Sequence, residues 1–303
     1  MLGTQKNNCR KTGELSVASV RAGSMKSAGA PTVLASRNGA AQTGTTIAAA
    51  AHAVINALRD AGIDAQSFFD RCDVEWPKGA DPLSRMENSK ISKLLDAAVD
   101  ATGDPAFGLK VGEALRPGNL HALGYALLAS STLRDFCNRL KAYYHIVSQN
   151  ASINTEEIDG RFVLITENPS GDLSDPVHDA YCALILHLMR SVYGGDLSPL
   201  SVEFMRAKIP GHEARFEKHF SCPVRYGCTA VRLEFDTAVI DSPLQNACVE
   251  LAQMNDQTVA RYLTALERAD IVNQVRCVIV ADIASSTLTR QHVADRLFLC
   301  THS

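Results

Sequence analysis

The chain has 303 residues, of which 46% are hydrophobic and 21% charged; 30 Lys/Arg face 33 Asp/Glu, for a net charge of −3. This is ordinary globular make-up with enough length for two modest domains, so wholesale disorder is excluded, as is a surface built throughout to hold nucleic acid. No run approaches the roughly 20 uninterrupted apolar residues that span a bilayer, which excludes a transmembrane protein.

Charge is spread unevenly. Residues 1–46 hold six Lys/Arg and one acid, whereas residues 47–260 hold 19 Lys/Arg against 28 acids. An acidic body between less acidic ends directs any polyanion contact to the ends. Residues 1–45 are rich in Ser, Ala, Gly, Thr and Asn, show no periodicity and lack the apolar stretch of a secretory signal. A disordered basic tail is therefore expected there.

Order is expected from Thr46. Ile47, Ala51, Val54, Ile55 and Leu58 fall on one stripe of an amphipathic helix closed by Gly62. Helices follow over about 65–72 and 90–101, the latter with Ile91, Leu94, Leu95 and Val99 on one face, then a Gly-bearing segment at Phe107–Gly112 and an apolar run from Leu120 to Leu128. Thr132 with Asp135 three residues later opens a helix carrying Leu133, Phe136, Leu140, Tyr144 and Val147. The period then changes: Ala151–Ile158 and Arg161–Ile165 flank Asp159-Gly160, the signature of a two-residue hairpin turn.

A helix bearing Val177, Tyr181, Leu184, Ile185, Leu188 and Val192 comes next and ends at Gly194-Gly195. Alternation marks strands at Leu200, Val202, Phe204 and at Val231, Leu233, Phe235; Pro210-Gly211 opens a short helix with Phe216 and Phe220, and another helix is expected over about 246–266. This order spells an α+β fold, a mostly helical domain over 46–266 with a small antiparallel sheet. Beyond Ala269, Ile271, Val275, Val278 and Ile283 mark a separate helix, and Gln291–Leu297 begin another, the opening of an all-α helix-turn-helix unit over 267–303.

The nine cysteines are odd in number and scattered, with no Cys-x-x-Cys pair, which reads as reduced core thiols. No phosphate-cradling glycine loop, dinucleotide fingerprint, His-Glu-x-x-His helix or nucleophile elbow is present, so neither an enzyme nor a cofactor is expected. Glu156-Glu157 read as a solvated strand edge. His212 and His219 lie seven apart with Cys222 just beyond, but lone histidines beside Phe216 and Phe220 read as capping or packing groups and no metal is expected. Tyr143, Tyr144 and His145, with Arg139 one turn earlier, combine aromatic rings with a few donors, as a pocket for a small organic ligand requires.

The segment Leu288-Thr-Arg-Gln-His-Val-Ala-Asp-Arg-Leu-Phe-Leu-Cys-Thr-His-Ser303 resembles the opening of the AraC-type DNA-binding domain. Val293, Ala294 and Leu297 match its usual pattern; Leu299, Cys300, His302 and Ser303 stand where the pattern has Met, Ser, Arg and Thr. Phe107-Gly-Leu-Lys-Val-Gly-Glu, Ala122-Leu-Gly-Tyr-Ala-Leu-Leu, Ser130-Ser-Thr-Leu-Arg-Asp and Phe216-Glu-Lys-His-Phe-Ser-Cys-Pro-Val-Arg-Tyr-Gly are similar to the ligand-binding domain of arabinose-binding-type AraC regulators.

The resemblance implies a cytoplasmic bacterial transcription regulator that binds a small organic effector, forms a homodimer and places recognition helices in the DNA major groove. On this alignment the sequence stops within the first recognition helix. Arg290, Arg296, Thr301, His302 and Ser303 are the expected DNA-side residues, and DNA binding is expected only with the remaining helices restored. Residues 267–303 hold four Arg and four acids, too little charge for a phosphate grip. The alternative is a free-standing ligand-binding or dimerising module that no longer binds DNA.

Overall fold

A computed structural model describes residues 44–77, 81, 84–194, 196–282 and 289–297. The expected tail up to residue 43, the Ser-rich linker at 283–288 and the expected DNA-side residues Thr301, His302 and Ser303 lie outside the described residues. In chain order the elements are β1 (Thr45–Ile47), α1 (Ala51–Asp60), α2 (Ala65–Arg71), β2 (Arg85–Glu87), α3 (Asn88–Thr102), α4 (Phe107–Ala114), α5 (His121–Leu128), α6 (Leu133–Val147), β3 (Ser152–Ile158), β4 (Arg161–Glu167) and α7 (Asp175–Tyr193). They continue with β5 (Ser201–Glu203), α8 (Glu213–Phe220), β6 (Val224–Arg225), β7 (Val231–Asp236), α9 (Thr237–Ile240), α10 (Val249–Asp282) and α11 (Arg290–Arg296).

The α+β expectation is met with two corrections. The main sheet has the order β3-β4-β7-β5-β6, and β6 pairs parallel to β5, so the sheet is mixed rather than antiparallel throughout. Thr45–Ile47 form a strand paired with β2, not the first turn of a helix; Ile47 is fully buried, but α1 starts only at Ala51.

Local chemistry accounts for the elements that were legible. Asp159 and Gly160 both take positive φ, 51° and 74°, the type I′ geometry that matches strand twist, and β3 pairs β4 from Ser152↔Glu167 to Ile158↔Arg161. At the start of α6 the Thr132 hydroxyl accepts from the Asp135 amide at 3.0 Å while the Asp135 carboxylate accepts from the Ser131 amide at 3.0 Å. Gly194, at φ 111°, closes α7.

Helix α7 is the axis of the core, with Val177, Ala183, Leu184, Leu186, Leu188 and Met189 all buried. Helix α4 lies directly on it. A Cβ at Gly108 would stand 2.3 Å from the Pro176 carbonyl oxygen, and one at Gly112 would stand 2.5 Å from the Ala180 oxygen and 2.7 Å from the Leu184 nitrogen. Two glycines one turn apart thus let the backbones touch, which explains why a Gly-bearing segment is helical despite its poor propensity.

The expected break at residue 266 is absent as a break in helix: α10 runs unbroken for 34 residues, packing on α5 and α6, with α11 against it. Its sequence from Val249 to Asp282 contains neither Gly nor Pro to stop it.

Candidate functional site

Two small cavities lie inside the helical half. The larger, about 30 Å³, is walled by Ala53, Val54, Ile91, Leu95 and Val111 among others, with Thr46 and Tyr181 as its hydroxyl-bearing members. The smaller, about 10 Å³, lies among Phe136, Leu140, Tyr144, Val147 and Leu188. Tyr181 and Leu184, one turn apart on α7, line both. Gly112 lines the larger one, so the close approach of α4 to α7 also shapes it.

A cluster of hydroxyl groups sits against this chamber. The Thr46 hydroxyl donates to Asn88 Oδ1 at 2.7 Å and lies 3.2 Å from the Tyr181 hydroxyl; Asn88 Nδ2 donates to Asp172 at 2.8 Å. Tyr144, 3% exposed, packs edge-on to Tyr181 at 6.2 Å, and its buried hydroxyl has no hydrogen-bond partner among the described residues. The buried Ser148 hydroxyl, close to Tyr181, makes no hydrogen bond of ordinary geometry among the described residues either. Burial pushes the phenols of Tyr144 and Tyr181 up, so both stay protonated at neutral pH and remain donors.

Behind Tyr181 lies Arg85. Its Nε donates to Thr45 Oγ1 at 3.0 Å, Nη2 to the Thr45 carbonyl at 2.8 Å and Nη1 to the Ile146 carbonyl. All three acceptors are neutral, and burial pushes the guanidinium down to about 10, against the opposing pull of Tyr181 and Asp270.

The four residues expected to line a ligand pocket do not converge. Tyr144 alone of them faces a described cavity. Arg139 turns to a flank of α6 about 100° round from that inner face, where Nε meets both Asp256 oxygens on α10 at 3.1 Å, Nη1 donates to the Ser130 hydroxyl at 3.1 Å, and Asp135 pairs with it. Tyr143, half-buried, lies near Asp256 and Arg139, and its phenol is raised first by burial. His145 is pushed down by burial, partly offset by Asp270 and Glu267 of α10. The spacing explains this split: 136, 140, 144 and 147 share the inner face of the helix, whereas 135, 139 and 143 share another. Thr46, Asn88 and Tyr181 were missed because three separate elements bring them together, and no local pattern announces that.

Two further features involve expected residues. His219 Nδ1 pairs with Glu113 at 3.1 Å and its ring meets Phe220 edge-on, the packing role read from sequence; His212 precedes α8. Glu157 pairs with Arg134 at 3.0 Å on the exposed strand edge. In the C-terminal segment, Thr289 caps α11 by accepting from the His292 amide at 3.1 Å, Ala294 is buried, Arg290 is exposed and Arg296 ends the helix. No helix among the described residues is long and apolar enough to cross a membrane.

Mostly apolar cavities with a few hydroxyl-bearing residues in their walls are the usual lining of a ligand-binding domain. The comparisons specify which one. The profile of the arabinose-binding domain of AraC transcription regulators, N-terminal, matches residues 62–244. The chain belongs to this family of AraC-type transcriptional regulators. It is similar to the ornithine utilization regulator of Pseudomonas aeruginosa, at 23% identity over 234 residues, covering 76% of this chain and 69% of that protein. Among solved structures it is similar to the transcriptional regulator CdpR from Pseudomonas aeruginosa, with a TM-score of 0.46, 12% identity, and coverage of 77% of this chain and 73% of that one.

Proposed function

We propose that the chamber around Tyr181 holds the effector of this regulator and that α6 passes its occupancy to α10. The observation that carries the proposal is the two-sided character of α6. Phe136, Leu140, Tyr144 and Val147 line the smaller cavity, while Arg139 on the adjacent face grips Asp256 of α10. A second tie runs from Gln149, just beyond α6, to Asp270 of α10 at 2.7 Å. A side chain displaced by ligand on one face therefore bears on α10 through the other, and α10 carries the first helical stretch of the expected DNA-reading unit and packs against α11, its second helix. Ligand shifts such an equilibrium only by its difference in affinity between two arrangements of these helices.

On this reading the protein is no enzyme; it acts in the cytoplasm, on DNA, as a homodimer. Exposed apolar residues of α10, among them Leu251 and Met254 (66% exposed), support a second copy as partner, and the exposed Arg290 is a phosphate contact. The alternative, a module that binds ligand without touching DNA, gives the same chamber but no operator response.

The deciding experiment uses a promoter reporter and ligand titration on one pair of proteins. Arg139→Met removes the grip on Asp256 without entering either cavity. It is expected to keep effector affinity within about threefold while losing most of the transcriptional response. An unchanged response in this variant overturns the relay through α6.

A further inference from the structure

We infer that strand β1 is a second arm of the relay: a head-to-tail chain of donors, from Arg85 through Thr45 and Gln149 to Asp270, reports occupancy of the larger cavity to α10. Thr45 is its positioning residue. This deepens the effector-sensing reading above and rests on it.

The larger cavity requires an arm of its own. Its walls come from β1, α1, α3, α4, α7 and the residues beside them, and no residue of α6 is among them. The grip of Arg139 on Asp256 therefore reads the smaller cavity and has no direct access to the larger. Thr46 of β1 lines the larger cavity, and Thr45 precedes it in the strand. Successive strand residues point to opposite faces, so Thr46 turned to the cavity leaves Thr45 turned away from it, toward Gln149.

The links all run in one sense. Arg85 Nε donates to Thr45 Oγ1 at 3.0 Å, the Thr45 hydroxyl donates to Gln149 Oε1, and Gln149 Nε2 donates to Asp270 Oδ2 at 2.7 Å. A chain that starts at a cation and ends at a carboxylate polarises every link in the same direction. Thr45 sets its orientation. Its oxygen receives Arg85, its proton goes to Gln149, and the amide oxygen drawn to that proton leaves the amide nitrogen facing Asp270. Without the hydroxyl the amide is free to turn over, and its oxygen repels the carboxylate.

Strand β1 is clamped along its length. The Thr45 carbonyl accepts from the Gln149 amide at 3.0 Å and from Arg85 Nη2 at 2.8 Å, Thr46 bridges to Ser148, and the whole strand pairs with β2. Thr46 is fully buried, with its hydroxyl on Asn88 at 2.7 Å. Three residues held in this way move as one piece, so a guest that shifts Thr46 also shifts Thr45 and the Gln149 amide it orients.

Hydrogen exchange of the full chain, read by mass spectrometry with and without xenon under pressure, tests the arm. Xenon is an apolar probe of dry cavities. It is expected to slow exchange in the walls around Val54 and Leu95, and to change exchange around Asp270 about fivefold. In Thr45→Val the walls are expected to respond while the stretch around Asp270 does not. Thr45→Ser is expected to restore the response, a rescue that a purely packing role, filled worse by serine, would not give. Gln149→Met takes the place of Thr45→Val should that variant not fold. Arg139→Met is expected to keep the response.

A change around Asp270 that survives in Thr45→Val or Gln149→Met overturns the arm, as does one that Arg139→Met abolishes. Should xenon leave the walls unmoved, Ala53→Val fills the larger cavity permanently, since Ala53 lines that cavity and not the smaller. Exchange around Asp270 equal to the parent's in Ala53→Val then overturns the arm. All of these outcomes are read without DNA, so the effector-sensing reading stands or falls separately, on the reporter experiment above.

Discussion

Replacing Gly112 with alanine tests the close seam between α4 and α7. In an exposed helix the change would add stability, since glycine costs a helix interior about 1 kcal/mol relative to alanine. Here the new methyl would lie 2.5 Å from the Ala180 oxygen, 2.6 Å from the Ala183 Cβ and 2.7 Å from the Leu184 nitrogen. Two of these three neighbours are backbone atoms of a buried helix and have no rotamer by which to yield. Helix α4 must lift off α7, and overpacking of this kind costs about 1–3 kcal/mol. Set against the propensity gain of about 1 kcal/mol, the expected net loss is about 1 kcal/mol, roughly 2–4 °C in melting temperature for a domain of this size. Urea and thermal unfolding followed by circular dichroism read the change. A melting temperature equal to or above the parent would refute the seam.

Asp179 gives a pH signature. Its carboxyl is fully buried on α7 beside Arg206, and burial, outweighing the arginine, pushes it up to about 7. The folded state then binds a proton that the unfolded chain releases near 4, so this group's contribution falls as pH rises from about 4 to about 7. His145, His178 and His187, all pushed down by burial, act in the opposite sense over part of that window, which makes the difference between proteins the proper quantity. Asp179→Asn is expected to gain on the parent by up to about 3 kcal/mol between pH 5 and pH 8 in urea titrations; a pH-independent difference contradicts the raised carboxyl. Thr132→Ala, which removes the cap of α6, is expected to cost about 1 kcal/mol, with Thr132→Ser restoring most of it in the same assay.

Local chemistry made much of the fold readable. The hairpin is announced by Asp159-Gly160 because only that turn type accepts two positive φ values in succession, and α6 by the Thr132 hydroxyl placed to receive the Asp135 amide. The strands β1, β2 and β6 escape such reading since two or three residues cannot display a period. The continuity of α10 was legible in principle, from the lack of Gly and Pro, but the polar stretch around Glu267-Arg268 obscures the stripe. The site was legible only at Tyr144. Its partners come from β1, α3 and α7, up to 135 positions apart in the chain, and the face of α6 on which Arg139 sits became clear only with the helix built.

The unbroken run of α10 also fixes a phase. Each residue of an α-helix adds 1.5 Å and about 100° of turn, so the 14 positions from Asp256 to Asp270 set its two polar ties about 21 Å apart and within about 40° of the same bearing. Adding one residue between them would swing one tie about 100° away from its partner on the α6 side. Seven would restore the bearing to within about 20° but displace it by about 10 Å. The number of residues in this rod is thus constrained as tightly as their identity, and any change in its length is a change of angle for everything it carries.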